Sequence, residues 1–495
     1  MTRHKINFTP LLAVFMIVFS INSQIINSQK TSEAKVIAKS NVFRAGAATS
    51  NITPFLGGGL VGGWSTPPAT HVHDELHARC LVLDDGYTKL MFIVVDNIAM
   101  NRDLTDEAKR LINKETNLPV ENILISAIHT HSSVSSQGEG DLRGKWSYDG
   151  TYDDYQRFLL RRFADCARIA LNNLEPAQIG WGVGSVPQHV FVRRWKMKPG
   201  TPMPNPFGGQ DKVVMNPGVG NPNLFEPAGK PDPEVSFISV QSTNGKPIAL
   251  LANYSLHYVG GVPTGHISAD YFAVFAERIK ELLKAEKQDP PFVGIMSNGT
   301  SGNVNNINFR GPAEKNPPYA KMKIVADDVA REVFRVYSTI QHHDWVPLKS
   351  AQEELRLKVR KPDQQMIAWA NGVLSRPDTV VPVHRHEKTY AERTLKMLDW
   401  PDNVDILLQT FRIGDLGVAA IPFETFAETG MEIKAKSPFR PSFTIELANG
   451  SYGYLPTPGQ HALGGYETWF STNKVEVEAS VKIVAKILEL FARMK

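Results

Sequence analysis

From Phe43 onward the chain alternates short apolar runs with amphipathic stretches. Runs such as residues 76–84, 90–96 and 123–127 have the length of buried strands, whereas residues 104–114 and 152–174 have the apolar spacing of helices. Strand-length and helix-length segments that follow one another in this way favour an α/β body over a sandwich or a helical bundle. We therefore predict mixed β-sheets flanked by helices, in one domain whose two parts cover residues 43–345 and 346–495.

Later segments extend this prediction. Residues 235–242 and 247–254 are strand-like, and the Asn244-Gly245 pair between them supplies the positive φ angles of a tight hairpin. Residues 195–233 are rich in proline and glycine and longer than a normal connection, so they form either a lid or a surface excursion, and we favour the lid. A final helix is expected to bury one apolar stripe, made of Val477, Val481, Val484, Leu488 and Phe491.

Composition restricts the partners of the protein. The chain has 54 Lys and Arg residues and 50 Asp and Glu residues, a dispersed net charge of +4 that predicts no nucleic-acid partner. Its 495 residues include two cysteines, Cys80 and Cys166, so no disulfide framework holds the fold, while a single bridge between them stays open. No glycine-rich nucleotide-binding loop is present, so the sequence gives no support for ATP or NAD.

The N-terminus has the pattern of a secretory signal peptide. Arg3, His4 and Lys5 precede an apolar run at residues 10–19. A membrane anchor, the alternative interpretation, needs about 20 apolar residues, and Ser20 already interrupts this run. We predict a signal peptide over residues 1–28, export to the periplasm or the medium, and no stable transmembrane anchor after processing.

Two histidine-bearing segments follow apolar strands. His129 and His131 come just after the run at residues 123–128, and their spacing places both rings on the same side of an extended chain. His257 ends a second apolar run, residues 250–257. Strand ends are where α/β proteins place their sites, so the three histidines are candidates for a metal centre. A packed or solvated pair is the alternative for an isolated His-x-His motif.

Further candidates carry carboxylates or repeat the motif. Glu424 ends another buried run; alternatively, it is a helix-start acid facing the dipole of the next turn. Two histidines and a carboxylate suit zinc and leave one position open for water. Asp96 ends a strand and is a candidate to orient a ligand histidine. His71 and His73 repeat the His-x-His spacing, but a structural role is the favoured interpretation there.

Several ordered motifs resemble the neutral ceramidase family, a family of zinc-dependent amidases. The resemblance spans roughly residues 43–470 and rests on five segments: residues 45–54, 124–132, 253–257, 421–430 and 449–467. It implies the α/β fold of a ceramidase catalytic domain, here without the C-terminal β-sandwich domain that ceramidases usually add. It also implies an N-acyl substrate that is lipid-like or a small molecule, and a role in sphingolipid metabolism.

The resemblance implies roles for individual residues. His129 and His257 would bind zinc through their imidazoles, Glu424 through its carboxylate and Tyr454 through its phenol oxygen. His131 would contact the substrate or the transition state. Arg193 would face the reacting centre, and the adjacent Arg194 stays an alternative for that position.

One loop departs from the family pattern. Residues 296–306 resemble the Gly-Asp-x-Ser-Pro-Asn loop of ceramidases, but Asn303 replaces the acid and Asn305 replaces the serine. Ser301 and Ser297 are the nearest substitutes, although turn chemistry is the favoured interpretation of this loop. The departure places ceramide as the substrate in doubt more than it does the metal.

The sequence therefore predicts an exported zinc-dependent hydrolase that cleaves an amide bond by metal-activated water. His131 is expected to act as general acid or oxyanion donor and Arg193 to stabilise developing negative charge. The rival hypothesis is a non-catalytic metal- or ligand-binding protein that keeps the scaffold and has lost turnover through Asn303 and Asn305.

Overall fold

Apolar, β-branched runs form two mixed sheets, and shorter strands pair in additional small sheets. The computed structural model describes residues 1–2, 42–138 and 151–495, so the predicted signal peptide lies almost entirely outside the described residues. The strands are β1 (Arg44–Asn51), β2 (Leu60–Val61), β3 (His71–Val72), β4 (His77–Asp84), β5 (Lys89–Val95), β6 (Ile123–Ala127), β7 (Ser133–Val134), β8 (Glu175–Ser185), β9 (Phe191–Val192), β10 (Arg194–Met197), β11 (Val214–Met215), β12 (Leu224–Pro227), β13 (Glu234–Ser242), β14 (Pro247–Tyr254), β15 (His266–Ile267), β16 (Val293–Asn298), β17 (Val304–Asn305), β18 (Leu348–Lys358), β19 (Asn403–Ile413), β20 (Leu416–Ile421), β21 (Glu424–Thr425), β22 (Ser442–Glu446) and β23 (Tyr454–Leu455).

Helices separate these strands along the chain. They are α1 (Arg102–Thr116), α2 (Asp154–Asn172), α3 (Asp270–Leu282), α4 (Ala320–Tyr337), α5 (Gln364–Leu374), α6 (Glu387–Lys396), α7 (Ala427–Lys436), α8 (Pro458–His461) and α9 (Ala479–Ala492). Among the described residues, no helix has both the length and the apolar character needed to span a membrane.

The larger sheet has eight strands within the described ranges, in the order β16-β14-β13-β8-β1-β4-β5-β6. Its pairs are antiparallel except β5–β6 and β14–β16, which are parallel. The smaller sheet has the order β18-β19-β20-β22 and also mixes both pairings. The predicted fold class, mixed sheets flanked by helices, is confirmed.

The two sheets share a core. The rings of Phe92 on β5 and Phe411 on β19 pack with their centroids 4.9 Å apart. Helix α2 buries Phe163 and Cys166 against the larger sheet, where the Cys166 thiol donates to Ala78 O at 3.3 Å. Cys166 and Cys80 are both buried and free, so they form no disulfide bridge.

The larger sheet curls strongly, and this curvature builds the site. β6 lies at one edge of the sheet and β14 lies next to the opposite edge. The residues that follow these two strands nevertheless meet, because His129 Nε2 lies 3.2 Å from His257 Nε2. The chain after β22 runs beside β6, where Ala127 N donates to Leu447 O at 3.1 Å.

Two sequence predictions need comment. The apolar stripe expected for the last helix is right for its second half and wrong for its first. Val484 and Phe491 are buried and Leu488 packs against the core, but Val477 and Val481 are 42% and 52% exposed. Ile483, Ile487 and Leu490 are buried in addition. The helix therefore turns its isoleucine and leucine face to the smaller sheet. Residues 195–233 contain a three-stranded sheet, β11-β10-β12, and their function as a lid stays a prediction.

Candidate metal centre

His129 is held by backbone groups just beyond the end of β6. Its backbone N donates to Asn97 O at 3.0 Å, and its ring Nδ1 donates to Ile98 O at 2.9 Å. Because a carbonyl oxygen only accepts hydrogen bonds, Nδ1 carries the proton and Nε2 presents a lone pair when the ring is neutral. The φ angle of His129 is 71°, a left-handed conformation that is uncommon outside glycine and frequent at functional sites.

His257 is oriented in the same manner after β14. Its Nδ1 lies 3.2 Å from both the backbone oxygen and the hydroxyl of Ser301, so Nδ1 again carries the proton. The ring is 1% exposed. Burial, followed by the charges of His129 and Arg193, lowers the pKa of His257 well below its usual value. A neutral ring with an inward lone pair is the form of histidine that binds a metal ion.

The donor atoms converge at zinc-like spacing. His129 Nε2 lies 3.2 Å from His257 Nε2, 3.2 Å from His131 Nε2 and 3.3 Å from Glu424 Oε2. Two ligands placed about 2.0–2.1 Å from a tetrahedral zinc ion are themselves about 3.3 Å apart. The donor nitrogens of the three histidines all lie within 4.8 Å of one another, so His129, His131 and His257 could hold a metal ion.

The electrostatics of this cluster also fit a cation. Two neutral imidazoles that both point lone pairs inward at 3.2 Å need a proton or a metal ion between them. Burial lowers the pKa of His129, but the carboxylate of Glu424 outweighs burial and raises it overall. Glu424 Oε2 is buried and accepts no hydrogen bond from the described residues. The site therefore concentrates acceptor atoms that a cation would satisfy.

Glu424 and Tyr454 reach the cluster together. Strands β21 and β23 pair in parallel, with Glu424 directly opposite Tyr454. Burial raises the pKa of Glu424, but His129 and the phenol of Tyr454 outweigh that effect and lower it overall. Burial raises the pKa of Tyr454 well above its usual value. A phenol in this position is adjacent to the carboxylate, as the proposed ligand set requires.

His131 lies between a glycine and a tyrosine. The ring of Tyr258 stacks on it with centroids 3.8 Å apart. On its other flank lies Gly62, whose φ is 113° and where a Cβ would sit 2.5 Å from His131 Cγ. Only glycine fits there without moving the ring. Burial, with the charges of His129 and Arg193, lowers the pKa of His131 well below its usual value.

Of the two candidate arginines, the structure brings Arg193 to the cluster. Its Nη1 lies 3.4 Å from His257 Nε2, and its Nε donates to Glu467 Oε1 at 2.9 Å. Arg194 lies on the other side of the same carboxylate, with Nη1 2.6 Å from Glu467 Oε2 and Nη2 2.6 Å from Gly464 O. Glu467 therefore holds both guanidinium groups, and only Arg193 points at the histidines.

The two asparagines of the divergent loop have structural contacts. Asn303 Oδ1 accepts from Ala427 N at 2.9 Å, which caps α7 just after Glu424. Asn305 Nδ2 donates to Asn216 Oδ1 at 2.8 Å. These bonds fasten the loop to the segments that carry Glu424 and Arg193, and neither asparagine contacts a donor atom of the cluster among the described residues.

Neither nearby serine faces the inner side of the cluster. Ser301 Oγ lies on the Nδ1 side of His257, opposite the inward Nε2. It donates to Glu446 Oε1 at 2.5 Å. Ser297 Oγ is buried in β16 and donates to Ala252 O at 3.0 Å. The turn interpretation of this loop is therefore the one that the geometry favours.

Asp96 is not brought to the histidine rings. It forms a buried ion pair with Arg79 Nη1 at 2.5 Å and accepts from His77 N at 2.8 Å. The acceptor for His129 Nδ1 is the oxygen of Ile98, two residues further along. Asp96 thus holds the start of the turn that carries this acceptor. It does not bond the His129 ring itself, contrary to the expectation from sequence.

Four residues at the site were not found from sequence: Gly62, Tyr258, Glu446 and Glu467. Glu446 is fully buried and accepts from Ser301 and from Thr425 N at 2.7 Å, so it links the residue behind His257 to the residue after Glu424. Burial raises its pKa to about 8. The glycine-rich run 57–63 and the position of Tyr258 next to His257 were signals available in the sequence. Glu446 had none, because its contacts depend on the folded arrangement.

The described residues have the fold of neutral ceramidases. The crystal structure of the neutral ceramidase from Pseudomonas aeruginosa matches with a TM-score of 0.64 and 15% identity, over 92% of this chain and 75% of that one. A ceramidase complexed with C2 matches with the same TM-score and coverage at 13% identity. No family model matches the chain. The fold implied by the sequence resemblance is thus confirmed, while family membership stays a prediction.

Proposed function

We propose that the protein is an exported zinc-dependent hydrolase that cleaves an amide bond in a lipid-like or small-molecule N-acyl substrate. The observation that carries the proposal is the convergence of His129, His257 and Glu424 at separations of 3.2 and 3.3 Å, with both Nδ1 atoms already bonded elsewhere. The ceramidase fold supports the choice of an N-acyl bond.

Within this proposal, His129, His257 and Glu424 hold zinc, and Tyr454 offers its phenol oxygen as a further ligand. Bound zinc supplies Lewis acidity, which polarises a carbonyl and makes water more acidic. His131 lies beside this ligand set, with its Nε2 3.2 Å from His129 Nε2, so a substrate carbonyl at the centre would lie within its reach.

The residues of the chain then divide the reaction between them. As the oxygen of water bonds to the acyl carbon, His131 Nε2 accepts the proton and later returns it to the departing nitrogen when the C–N bond breaks. Arg193 directs its Nη1 at the cluster and stabilises the negative charge on the former carbonyl oxygen. The products are a carboxylic acid and an amine.

The test combines metal analysis with hydrolysis. The mature protein is analysed for bound metal and assayed on N-acyl amides before chelation, after chelation and after zinc is restored. The proposal expects about one zinc ion per chain and turnover that disappears and returns with the metal. Metal without turnover on a broad amide and ester panel would favour the non-catalytic binder, for which the missing ceramidase serine at Asn305 is the supporting observation.

Export is tested separately. The full chain is expressed in a bacterial host, and the N-terminus of the protein recovered outside the cytoplasm is sequenced. Cleavage near residue 28 supports a signal peptide, whereas an intact N-terminus that sediments with membranes contradicts it.

A further inference from the structure

Two cations near the candidate metal centre lack a carboxylate partner. Arg393 on α6 and Lys474 are both half-buried. Arg393 forms no ion pair, and the amine of Lys474 makes neither an ion pair nor a hydrogen bond, with any residue in the part of the chain that the structure describes. In contrast, Arg193 and Arg194 share the buried carboxylate of Glu467.

Lys474 lies against the backbone that presents two proposed zinc ligands. Its Nζ would lie 3.6 Å from a Cβ placed on Gly453. Gly453 immediately precedes Tyr454, and its oxygen accepts from Glu424 N at 3.0 Å. Burial and the charge of Arg393 lower the pKa of Lys474 to about 8, although the charge of Glu424 acts in the opposite direction.

Aromatic rings connect Arg393 to the same centre. The guanidinium carbon of Arg393 lies 5.6 Å from the ring centroid of Trp64. Trp64 contacts Tyr466 with centroids 6.2 Å apart, and Tyr466 contacts Tyr454 at 5.7 Å. His386 stacks on Trp64 at 3.7 Å, and its Nε2 has no hydrogen-bond partner among the described residues. Arg393 and the unpartnered Nε2 of His386 therefore lie at one end of a row of aromatic rings, and Lys474 lies against the backbone next to Tyr454 at the other end.

This arrangement is costly without a ligand. Two half-buried positive charges that act on each other repel, and partial burial removes some of the water that would screen them. Contacts with Trp64, Tyr390 and Trp400 recover only part of this cost, since a cation–π contact is worth about 0.5–2 kcal/mol. Charge-assisted hydrogen bonds from an anion would recover more.

We propose that Arg393 and Lys474 form an anion subsite beside the metal centre, so that the preferred substrate is an N-acyl amine whose amine portion carries an oxyanion. The inference rests on the proposed function. A carboxylate, a sulfonate and a phosphate share the chemistry that the subsite recognises. The rings of Tyr466 and Trp64 pack along the carbon atoms between the oxyanion and the scissile bond.

A substrate panel tests this selectivity on the zinc-loaded full chain. N-Dodecanoyltaurine carries a sulfonate, N-dodecanoylglycine a carboxylate, and N-dodecanoylethanolamine is neutral with the same acyl chain. We expect kcat/KM for at least one anionic compound to exceed that for the neutral one by tenfold or more, and the ratio to fall as salt is added. The two anionic arms identify which oxyanion fits.

Two variants locate the preference. Arg393→Gln and Lys474→Gln should each reduce the anionic-to-neutral ratio at least fivefold, chiefly through KM for the anionic substrate. Neither substitution strands a carboxylate, so both should fold, and thermal melting verifies this. Lys323→Gln removes an exposed lysine on α4 and serves as the matched control, with the ratio unchanged.

The outcomes separate the subsite from the hydrolase. A ratio near one in the unaltered protein, or a ratio that neither variant changes, overturns the subsite even when amides are hydrolysed. If no amide is hydrolysed, calorimetry with N-dodecanoyltaurine and N-dodecanoylethanolamine replaces the kinetic readout. Tighter binding of the sulfonate that weakens in both variants then supports the subsite while the proposed hydrolysis fails, and equal binding overturns the subsite.

Discussion

The chain contains two His-x-His motifs, at residues 129–131 and 71–73, and they fold into different environments. His129 and His131 turn their Nε2 atoms to within 3.2 Å of each other. His71 is exposed and His73 half-buried. The same spacing in the sequence therefore produces a converging pair in one place and a separated pair in the other.

The separated pair belongs to what we call the outer cluster: His71, His73, His266 and Tyr319. Strands β3 and β15 pair in parallel and place His71 opposite His266, with ring centroids 4.5 Å apart. His73 instead stacks on Tyr319 at 3.6 Å. Each ring of this motif thus contacts a different partner.

The comparison shows what turns a motif into a site. A third donor must come from a distant segment, as His257 does for His129 and His131, and acceptors such as Ile98 O must hold the other ring nitrogen. In the outer cluster a distant histidine, His266, also lies opposite His71, but its Nδ1 is bonded to the Tyr319 hydroxyl. Among the described residues, the histidines whose donor atoms converge are His129, His131 and His257. Burial adds to the difference, because water competes with any ligand at an exposed ring.

The largest predicted effect is on zinc. His129→Ala should remove most of the bound metal. Loss of a residue that only orients a metal ligand costs about 10–100-fold in activity, and loss of the ligand itself should reduce turnover by more than that. The reason is that His129 Nε2 is the atom on which the other donors converge. Metal analysis and initial rates measure both quantities.

His71→Ala is the matched control, since it removes the first histidine of the other motif. It should leave zinc content and turnover unchanged. If both variants lost zinc equally, or if only His71→Ala did, the assignment of the metal centre to the inner cluster, which is His129, His131, His257 and Glu424, would be wrong.

The second prediction separates ligand from catalyst inside the inner cluster. His131→Ala should retain nearly all of the zinc while turnover falls by about 10²–10⁴-fold, the range for loss of a general acid or base. Glu424→Gln should do the reverse and weaken zinc binding. The alternative ligand set uses His131 in place of Glu424, and it would be supported if His131→Ala lost zinc and Glu424→Gln kept it.

The sequence predicted the parts of this site better than their arrangement. β6 and β14 begin and end close to the expected residues, because their apolar runs are continuous and bounded by polar or turn residues. Thus the positions of His129 and His257 at strand ends followed from pattern alone. That these ends meet depends on the curl of the eight-stranded sheet, which no local pattern contains.

Two further differences have separate causes. The last helix has apolar residues on more than one face, so spacing alone selected Val477 and Val481 where the structure buries Ile483 and Ile487. Asp96 was a candidate to orient a ligand histidine because it is a carboxylate at a strand end. In the structure it forms an ion pair with Arg79 on the neighbouring strand β4 instead. Pairings across strands cannot be read from either strand by itself.

The third prediction concerns the glycine that flanks His131. Gly62→Ala should displace the ring, since the new Cβ would meet His131 Cγ at 2.5 Å, and turnover should fall about tenfold or more with zinc largely retained. Gly57→Ala is the control: Gly57 also has a positive φ, 102°, but a Cβ there meets nothing within 4 Å. Equal losses in both would mean that backbone strain, and not the contact with the ring, limits the enzyme.

The smallest predicted effect belongs to Ser301. Ser301→Ala removes the hydroxyl contact to His257 Nδ1 and the hydrogen bond to Glu446 Oε1. The backbone oxygen of the same residue stays 3.2 Å from Nδ1, so the ring keeps its orientation, and Glu446 Oε1 keeps the bond from Asn298 Nδ2 at 3.0 Å. The lost contact to His257, a hydrogen bond worth about 0.5–1.5 kcal/mol, corresponds to roughly a two- to tenfold weaker zinc site. Ser268→Ala deletes the equivalent hydroxyl beside Asp74, next to the outer cluster, and should leave zinc affinity unchanged.

Complete loss of turnover in Ser301→Ala with zinc retained would instead make this serine the nucleophile. The loop would then perform the ceramidase-type role from a shifted position, and the proposal of direct attack by water would be wrong.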